Sequence, residues 1–481
     1  MQDPGTTRLT QNARPLGHVS ALPGLRFPLL VLAAAILLLG AIRLGDLPGY
    51  DDALYSLQAK GILQTGDWLT PRVGGEPALE HPPLFVWVQA VFFAAFGISD
   101  PIAKLPAALS ALATVLLVYW LARRLLNDKL AATAAMFVML ATPYAVKYAG
   151  HAMTDMPTTL LFLCAICAWS LADDNPCWYL AAGAFTGLAL VTRSLTGLGL
   201  PAIFAVHMVA TRRRRAWKYL VPALVIALLP PAAWWGYLLF RYGEHFLITH
   251  VAFLHREVFE TLTPAWRRYT GALEYAWTLT KSYWPWLPVM LAGLVTVIRV
   301  RRRQLCLLLA WAGIVFLLCS ITGSRVLRYM LPAYPAFAIL SAIGLLRWVP
   351  RRLVERAMDR IPPLAVAAAI CIVALLPPRW HAAETRAIAQ KNSQVISSGE
   401  RVYLYDKGDP RYDETNELEW YGRNVASILI TSADLEKALQ DHSLRVFVVD
   451  KATYKQRIKI FSHDVIAEAG NLISVRLKRG V

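Results

Sequence analysis

Charge is scarce in this chain. Only 17% of its 481 residues are Asp, Glu, Lys or Arg and 56% are apolar, whereas soluble domains carry about a quarter charged residues. That scarcity excludes an ordinary soluble enzyme of this length. Cysteine is sparse as well, and the six present make no disulfide framework. Cys164 and Cys167 have CxxC spacing but lie inside an apolar segment, where a thiol behaves as a small hydrophobe. Cys177, Cys306, Cys319 and Cys371 fall in or beside apolar segments too. The chain lacks a cleavable leader: residues 27–44 are apolar and follow a basic stretch, but no small-residue cleavage site comes after them. They read as a retained anchor. No internal repeat and no low-complexity tract occurs.

What is present is a series of long apolar blocks separated by short basic clusters, the pattern of a polytopic membrane protein. Candidate spans are 27–44, 102–122, 130–147, 156–172, 177–194, 197–211, 218–240, 284–300, 304–321, 329–347 and 362–378. The stretch 83–97 is short, aromatic-rich and preceded by a Pro-Pro pair, which suits a helix lying at the interface. The formal net charge of +17 could suggest nucleic acid as a partner. Its placement argues against that. The arginines cluster directly after apolar segments, at Arg123-Arg124, Arg212 to Arg215, Arg301 to Arg303 and Arg347 through Arg360. Clusters there hold a topology by staying in the cytoplasm.

With the N-terminal tail (1–26) inside, residues 27–378 form a transmembrane module whose long loops 45–101 and 241–283 lie on the outer face. Residues 379–481 are then also outside. There the composition changes: Arg401 to Tyr405, Arg445 to Val449 and Leu472 to Arg476 read as strands and Asp434 to Gln440 as a helix, giving a small α/β domain.

The outer loops carry polar groups that membrane architecture alone does not require. Tyr50-Asp51-Asp52 follows the first span. These carboxylates read as solvated loop residues or, partly desolvated near lipid, as a general base. Glu80-His81-Pro82-Pro83 reads as a rigid turn or as part of a site. Asp155, in Thr154-Asp155-Met156-Pro157, has an ordinary account as a helix cap. Arg325, Arg328 and Tyr329 place two cations and a phenol at an outer helix start, where the cations oppose the helix dipole and the positive-inside rule. An anion such as a lipid phosphate would hold them there, since guanidinium binds phosphate oxygens in a bidentate fork.

These motifs, in their order, resemble the bacterial membrane glycosyltransferases of the GT-C fold, in particular the aminoarabinose (lipid A) transferase and protein O-mannosyltransferase-like group. The resemblance runs over roughly residues 25–350. It rests on Tyr50-Asp51-Asp52, His81-Pro82-Pro83-Leu84-Phe85, Lys104-Leu105-Pro106-Ala107-Ala108, Thr154 to Pro157 and Arg328 to Pro335. It implies an α-helical GT-C module, a polyprenyl-phosphate-linked sugar donor and inverting transfer on the periplasmic face of the bacterial inner membrane. The acceptor would be a lipid, glycan or protein hydroxyl. Asp51, with Asp52 and Asp155, would be catalytic, and His81, Arg325, Arg328 and Tyr329 would hold the donor phosphate. The resemblance requires no cofactor. A divalent metal at Glu80, with His255 or His250, is the one option it leaves.

Two departures matter. Asp52 stands where the family usually has Glu, leaving open which carboxylate points inward. His81 replaces a lysine, so a phosphate role for it predicts donor affinity falling as pH rises above about 6.5. Two other classes compete with the transferase. A flippase for a lipid-linked sugar would place ionisable groups at mid-membrane, with Arg193 near a span end as its main support. A structural scaffold would leave the ordered motifs unexplained.

Overall fold

The computed structural model describes residues 24–47, 50–212, 217–258, 270–300, 302–322, 326–378, 380–397, 400–405, 413–429, 431–441 and 445–478. The N-terminal tail before residue 24, most of the Arg212–Arg215 cluster and Arg301 lie outside these.

Every apolar block proposed as a span is helical. Among the described residues six helices are long and apolar enough to cross a membrane: Arg26–Arg43, Asp100–Leu126, Ser194–Thr211, Trp217–Tyr242, Leu327–Trp348 and Arg351–Leu375. A seventh crossing is bent by 60° between Lys129–Leu140 and Pro143–Ala149. The remaining four expected spans fall on shorter apolar helices, Asp155–Leu171, Trp178–Leu190, Leu287–Val300 and Cys306–Ile321. The shortening has local causes. Trp178–Leu190 stops before Arg193, whose backbone is extended (φ −155°, ψ 96°), and the chain resumes at Ser194. Tight crossings hold the bundle together: a Cβ on Gly293 would run into the Leu340 carbonyl, and one on Gly344 into that of Val289. Small residues allow such backbone approach where lipid supplies no hydrophobic drive between helices.

The described parts of the two long loops are largely helical, where the sequence reading expected only the helix at 83–97. Loop 45–101 contains the helices Tyr50–Thr65 and Leu84–Phe96, joined through a hairpin of β1 (Arg72–Val73) and β2 (Glu76–Pro77). Its turn, Gly74-Gly75, has φ of 60° and 88°, the left-handed pair that a two-residue hairpin needs and glycine tolerates. Loop 241–283 contains Glu244–Val258 and Gly271–Ser282. Asp51 and Asp52 therefore belong to the first turn of a helix rather than to a solvated loop.

Beyond the last span comes a five-stranded mixed sheet. Its strands are β3 (Val402–Tyr405), β4 (Ala426–Leu429), β5 (Val446–Asp450), β6 (His463–Ala469) and β7 (Leu472–Leu477), in the order β4-β3-β5-β7-β6. β4, β3 and β5 are parallel; β7 and β6 continue antiparallel. Alternation sorts the core: Val446 and Val448 pack on one face with Ile388 and Leu418, while Phe447 and Val449 pack on the other with Leu435 and Leu439.

This domain is fastened to the helical module through two carboxylates. Asp46 accepts the backbone N–H groups of His381 (2.9 Å) and Ala382 (2.8 Å). Asp100 accepts the Trp420 indole N–H at 2.7 Å and the Tyr421 hydroxyl at 3.3 Å. The Tyr421 oxygen in turn accepts the Leu47 N–H at 3.1 Å.

Candidate active site

The Tyr50–Thr65 helix lies over the bundle end and packs Tyr55, Leu57 and Ile62 against Phe85 and Val86 of the next helix. This packing leaves Asp51 on one side of its first turn and Asp52 on the other. Asp52 is 1% exposed and faces away from any cavity. Its carboxylate accepts the Ala152 N–H at 2.5 Å and meets His151 Nδ1 at 3.0 Å. It anchors the turn before Asp155, so that Asp51 rather than Asp52 faces the recess.

Asp51 lines a recess together with Tyr55, Glu80, His81, Arg193, His250, Arg328 and Tyr329. The recess has a volume of about 150 Å³. Asp51 Oδ2 accepts from Arg328 Nη2 at 2.5 Å. Behind this pair Asp155 Oδ1 accepts from Arg193 Nη1 at 2.6 Å, and its Oδ2 lies 3.8 Å from Arg328 Nε. The Arg193 guanidinium stacks 4.2 Å from the Tyr329 ring centre. Two guanidiniums and two carboxylates thus balance in a half-enclosed space, where charges are screened far less than in water.

With its side chain only 2% exposed and occupied by two arginines, Asp155 is placed to hold those cations rather than to reach a substrate. Burial raises the Asp51 carboxyl above the ordinary aspartate range, against the pull of Arg328 and Arg193. Burial also raises the Tyr55 phenol, with Asp51 adding to it, so that Tyr55 keeps its proton as a donor.

His81 sits at the rim, its ring 5.4 Å from that of Tyr55 and edge-on to Phe253 at 4.8 Å. Arg325 lies outside the described residues. Glu80 and His250 line the recess but His255 does not. No group of three His, Cys, Asp or Glu side chains suited to a metal occurs among the described residues. His250 Nδ1 lies 3.3 Å from the Leu79 carbonyl. A carbonyl can only accept, so Nδ1 carries the proton and Nε2 holds a lone pair. Burial lowers the basicity of this imidazole, although its backbone hydrogen bonds oppose the shift.

Arg193 is the central residue that the site motifs passed over. Its sequence signal was a charge at the end of an apolar block, but its partners are 38 and 136 positions away, at Asp155 and Tyr329. Lys104 is also buried, 1% exposed, and donates to the Gly45 carbonyl at 2.9 Å, which secures the approach to the Asp51 helix.

A helical module with a polar recess at one end and an appended mixed-sheet domain is an architecture found among solved structures. The fold matches ArnT from Cupriavidus metallidurans in the apo state with a TM-score of 0.77 at 20% identity, covering 93% of this chain and 97% of that one. The same protein bound to undecaprenyl phosphate gives 0.75 at 19% identity. The family described as dolichyl-phosphate-mannose-protein mannosyltransferase matches residues 80–235. An undecaprenyl phosphate-alpha-4-amino-4-deoxy-L-arabinose arabinosyl transferase of Edwardsiella ictaluri is 27% identical over 322 residues, covering 61% of this chain and 54% of that protein. A protein of Aquifex aeolicus is 26% identical over 298 residues, covering 61% of this chain and 58% of its own length. The chain thus spans little more than half the length of these curated relatives. It shares the fold of the Cupriavidus protein and is similar in sequence to these transferases over part of its length.

Proposed function

We propose that this protein transfers a sugar from a polyprenyl-phosphate donor to a hydroxyl-bearing acceptor, with inversion. The observation that carries the reading is the recess in which Asp51 faces Arg328, Arg193 and Tyr329. Asp51 takes the proton of the acceptor hydroxyl as its oxygen attacks the anomeric carbon. The bond from that carbon to the phosphate oxygen breaks, and polyprenyl phosphate leaves with the electron pair. Arg328 and Arg193 stabilise the phosphate charge, and Tyr55 offers a hydrogen bond. Positive charge at the leaving group therefore comes from the arginines.

The site lies on the periplasmic face of the bacterial inner membrane in this reading, with the mixed-sheet domain on the same side. The donor class is supported by the undecaprenyl phosphate bound to the similar Cupriavidus protein. The acceptor is a lipid A-like lipid, a glycan or a protein hydroxyl. His81 at the rim adds a cation only when protonated.

The test is transfer of labelled sugar from polyprenyl-phosphate donors in membranes carrying wild type or Asp51→Asn. Transfer by wild type that is lost in a normally folded Asp51→Asn protein supports the reading. Failure of wild type across a broad donor and acceptor panel removes it.

A further inference from the structure

A second polar cavity lies apart from the recess, at the junction between the Tyr50–Thr65 helix, the β1–β2 hairpin and the mixed-sheet domain. Its volume is about 170 Å³. Three elements each bring one cation to it: Lys60 from the helix, Arg72 from the hairpin, and Arg423 from the segment after the Asp413–Tyr421 helix. The single carboxylate in its lining is Glu419.

The junction is built before any ligand arrives. Glu419 is spent on backbone, accepting the Gly74 N–H at 3.0 Å and the Ala426 N–H at 3.4 Å, and so clamps the hairpin turn to the domain. The turn is tight there, since a Cβ on Gly74 would come within 3.2 Å of Val425. Arg72 is braced by the Gly75 carbonyl at 3.1 Å and the Tyr242 hydroxyl at 3.4 Å. Lys60 differs. Among the described residues it makes no hydrogen bond or ion pair; it lies 5.9 Å from the Trp420 ring centre and feels the Glu419 carboxylate only through space. A half-buried ammonium with three unfilled donors is costly unless something accepts from it. Arg423 is exposed, and its guanidinium likewise has no acceptor among the described residues.

We propose that this junction binds a phosphate-bearing group, held by Lys60 and Arg423 with Arg72 behind. Cations converging from three directions fit a tetrahedral anion, whose oxygens point several ways, better than a planar carboxylate. Burial lowers the basicity of Lys60, and a bound anion would restore its charge. The ligand comes either from solution, as a phosphate ester, or from a lipid headgroup. The site is independent of the transferase reading, because none of its residues lines the recess.

Hydrogen exchange on the full chain tests it, reading the amides of residues 72–76 and 419–426. Wild type in detergent is compared with and without inorganic phosphate. Wild type in nanodiscs is compared between phosphatidylglycerol and phosphatidylcholine. Slower exchange with inorganic phosphate identifies a solution ligand; slower exchange only in phosphatidylglycerol identifies a headgroup. Lys60→Gln and Arg423→Gln should each weaken the effect about tenfold in ligand concentration, the loss of one charge-assisted contact. Protection that persists unchanged in both variants overturns the proposal, as does the absence of protection in both media. Transfer activity is measured in parallel, so a protein inactive as a transferase can still pass or fail this test.

Discussion

Asp51 and Arg328 are 277 positions apart in sequence and 2.5 Å apart in the recess. The cation suited to a donor phosphate is thus already engaged by the carboxylate suited to be the base. A phosphate entering the recess competes with Asp51 for Arg328 and, on winning, frees the carboxylate. Asp51→Asn should therefore separate binding from chemistry. Transfer should fall about 10²- to 10⁴-fold, the usual worth of a positioned base. Polyprenyl-phosphate binding should hold or tighten, up to about tenfold for a contact worth about 1.4 kcal/mol. Donor binding and single-turnover transfer, measured separately, check both.

The acidic limb of the pH profile should belong to Asp51. Burial raises its carboxyl, so the ionised, active form is lost as pH falls through a value above the ordinary aspartate range. A profile of kcat/KM for transfer should show that limb displaced upward. A limb at the ordinary value would move the base elsewhere.

Asp52 should act on stability rather than on that limb. Asp52→Ala strands the Ala152 N–H and removes the partner of His151, at a cost of about 1–3 kcal/mol. Thermal unfolding in detergent should register the loss, while the residual activity keeps the wild-type acidic limb.

Arg193 and Asp155 should behave as a unit. Arg193→Gln or Asp155→Asn each removes the 2.6 Å contact of a partly buried pair, at about 1–3 kcal/mol. The double variant should cost clearly less than the sum of the two. Additive losses would show that the pair is not coupled.

Asp100 should control the seating of the mixed-sheet domain. Asp100→Ala removes the acceptor for Trp420 and Tyr421 and the 3.6 Å contact with Arg386. Limited proteolysis between residues 376 and 383 should accelerate, with the domain itself left intact.

Much of this site was legible in the sequence because its residues break membrane rules locally. Arg328 is a cation at the start of an apolar helix, and Asp51 a carboxylate soon after an apolar span; each is conspicuous alone. Arg193 was visible as a charge, but its purpose lay with Asp155 and Tyr329, which folding alone brings to it. Which of Asp51 and Asp52 faces inward was not legible. That orientation is decided by His151 and Ala152, about a hundred positions on. The Tyr50–Thr65 helix was hidden for another reason. It rests on protein rather than in lipid, so its mixed composition reads as a loop to a hydropathy average. Strands β4 and β6 were missed as well. β6 has only one buried residue, Ala467, so it lacks the run of buried residues that marks β5 and β7.

The hydrogen bonds from His381 and Ala382 to Asp46 span 335 and 336 positions. Asp46 leaves the ribosome 335 and 336 residues ahead of these partners. Until residues 381 and 382 are synthesised, the segment leading to the Asp51 helix lacks this brace. The helical bundle can therefore insert before the brace forms, which makes the mixed-sheet domain a late addition to a frame already in place.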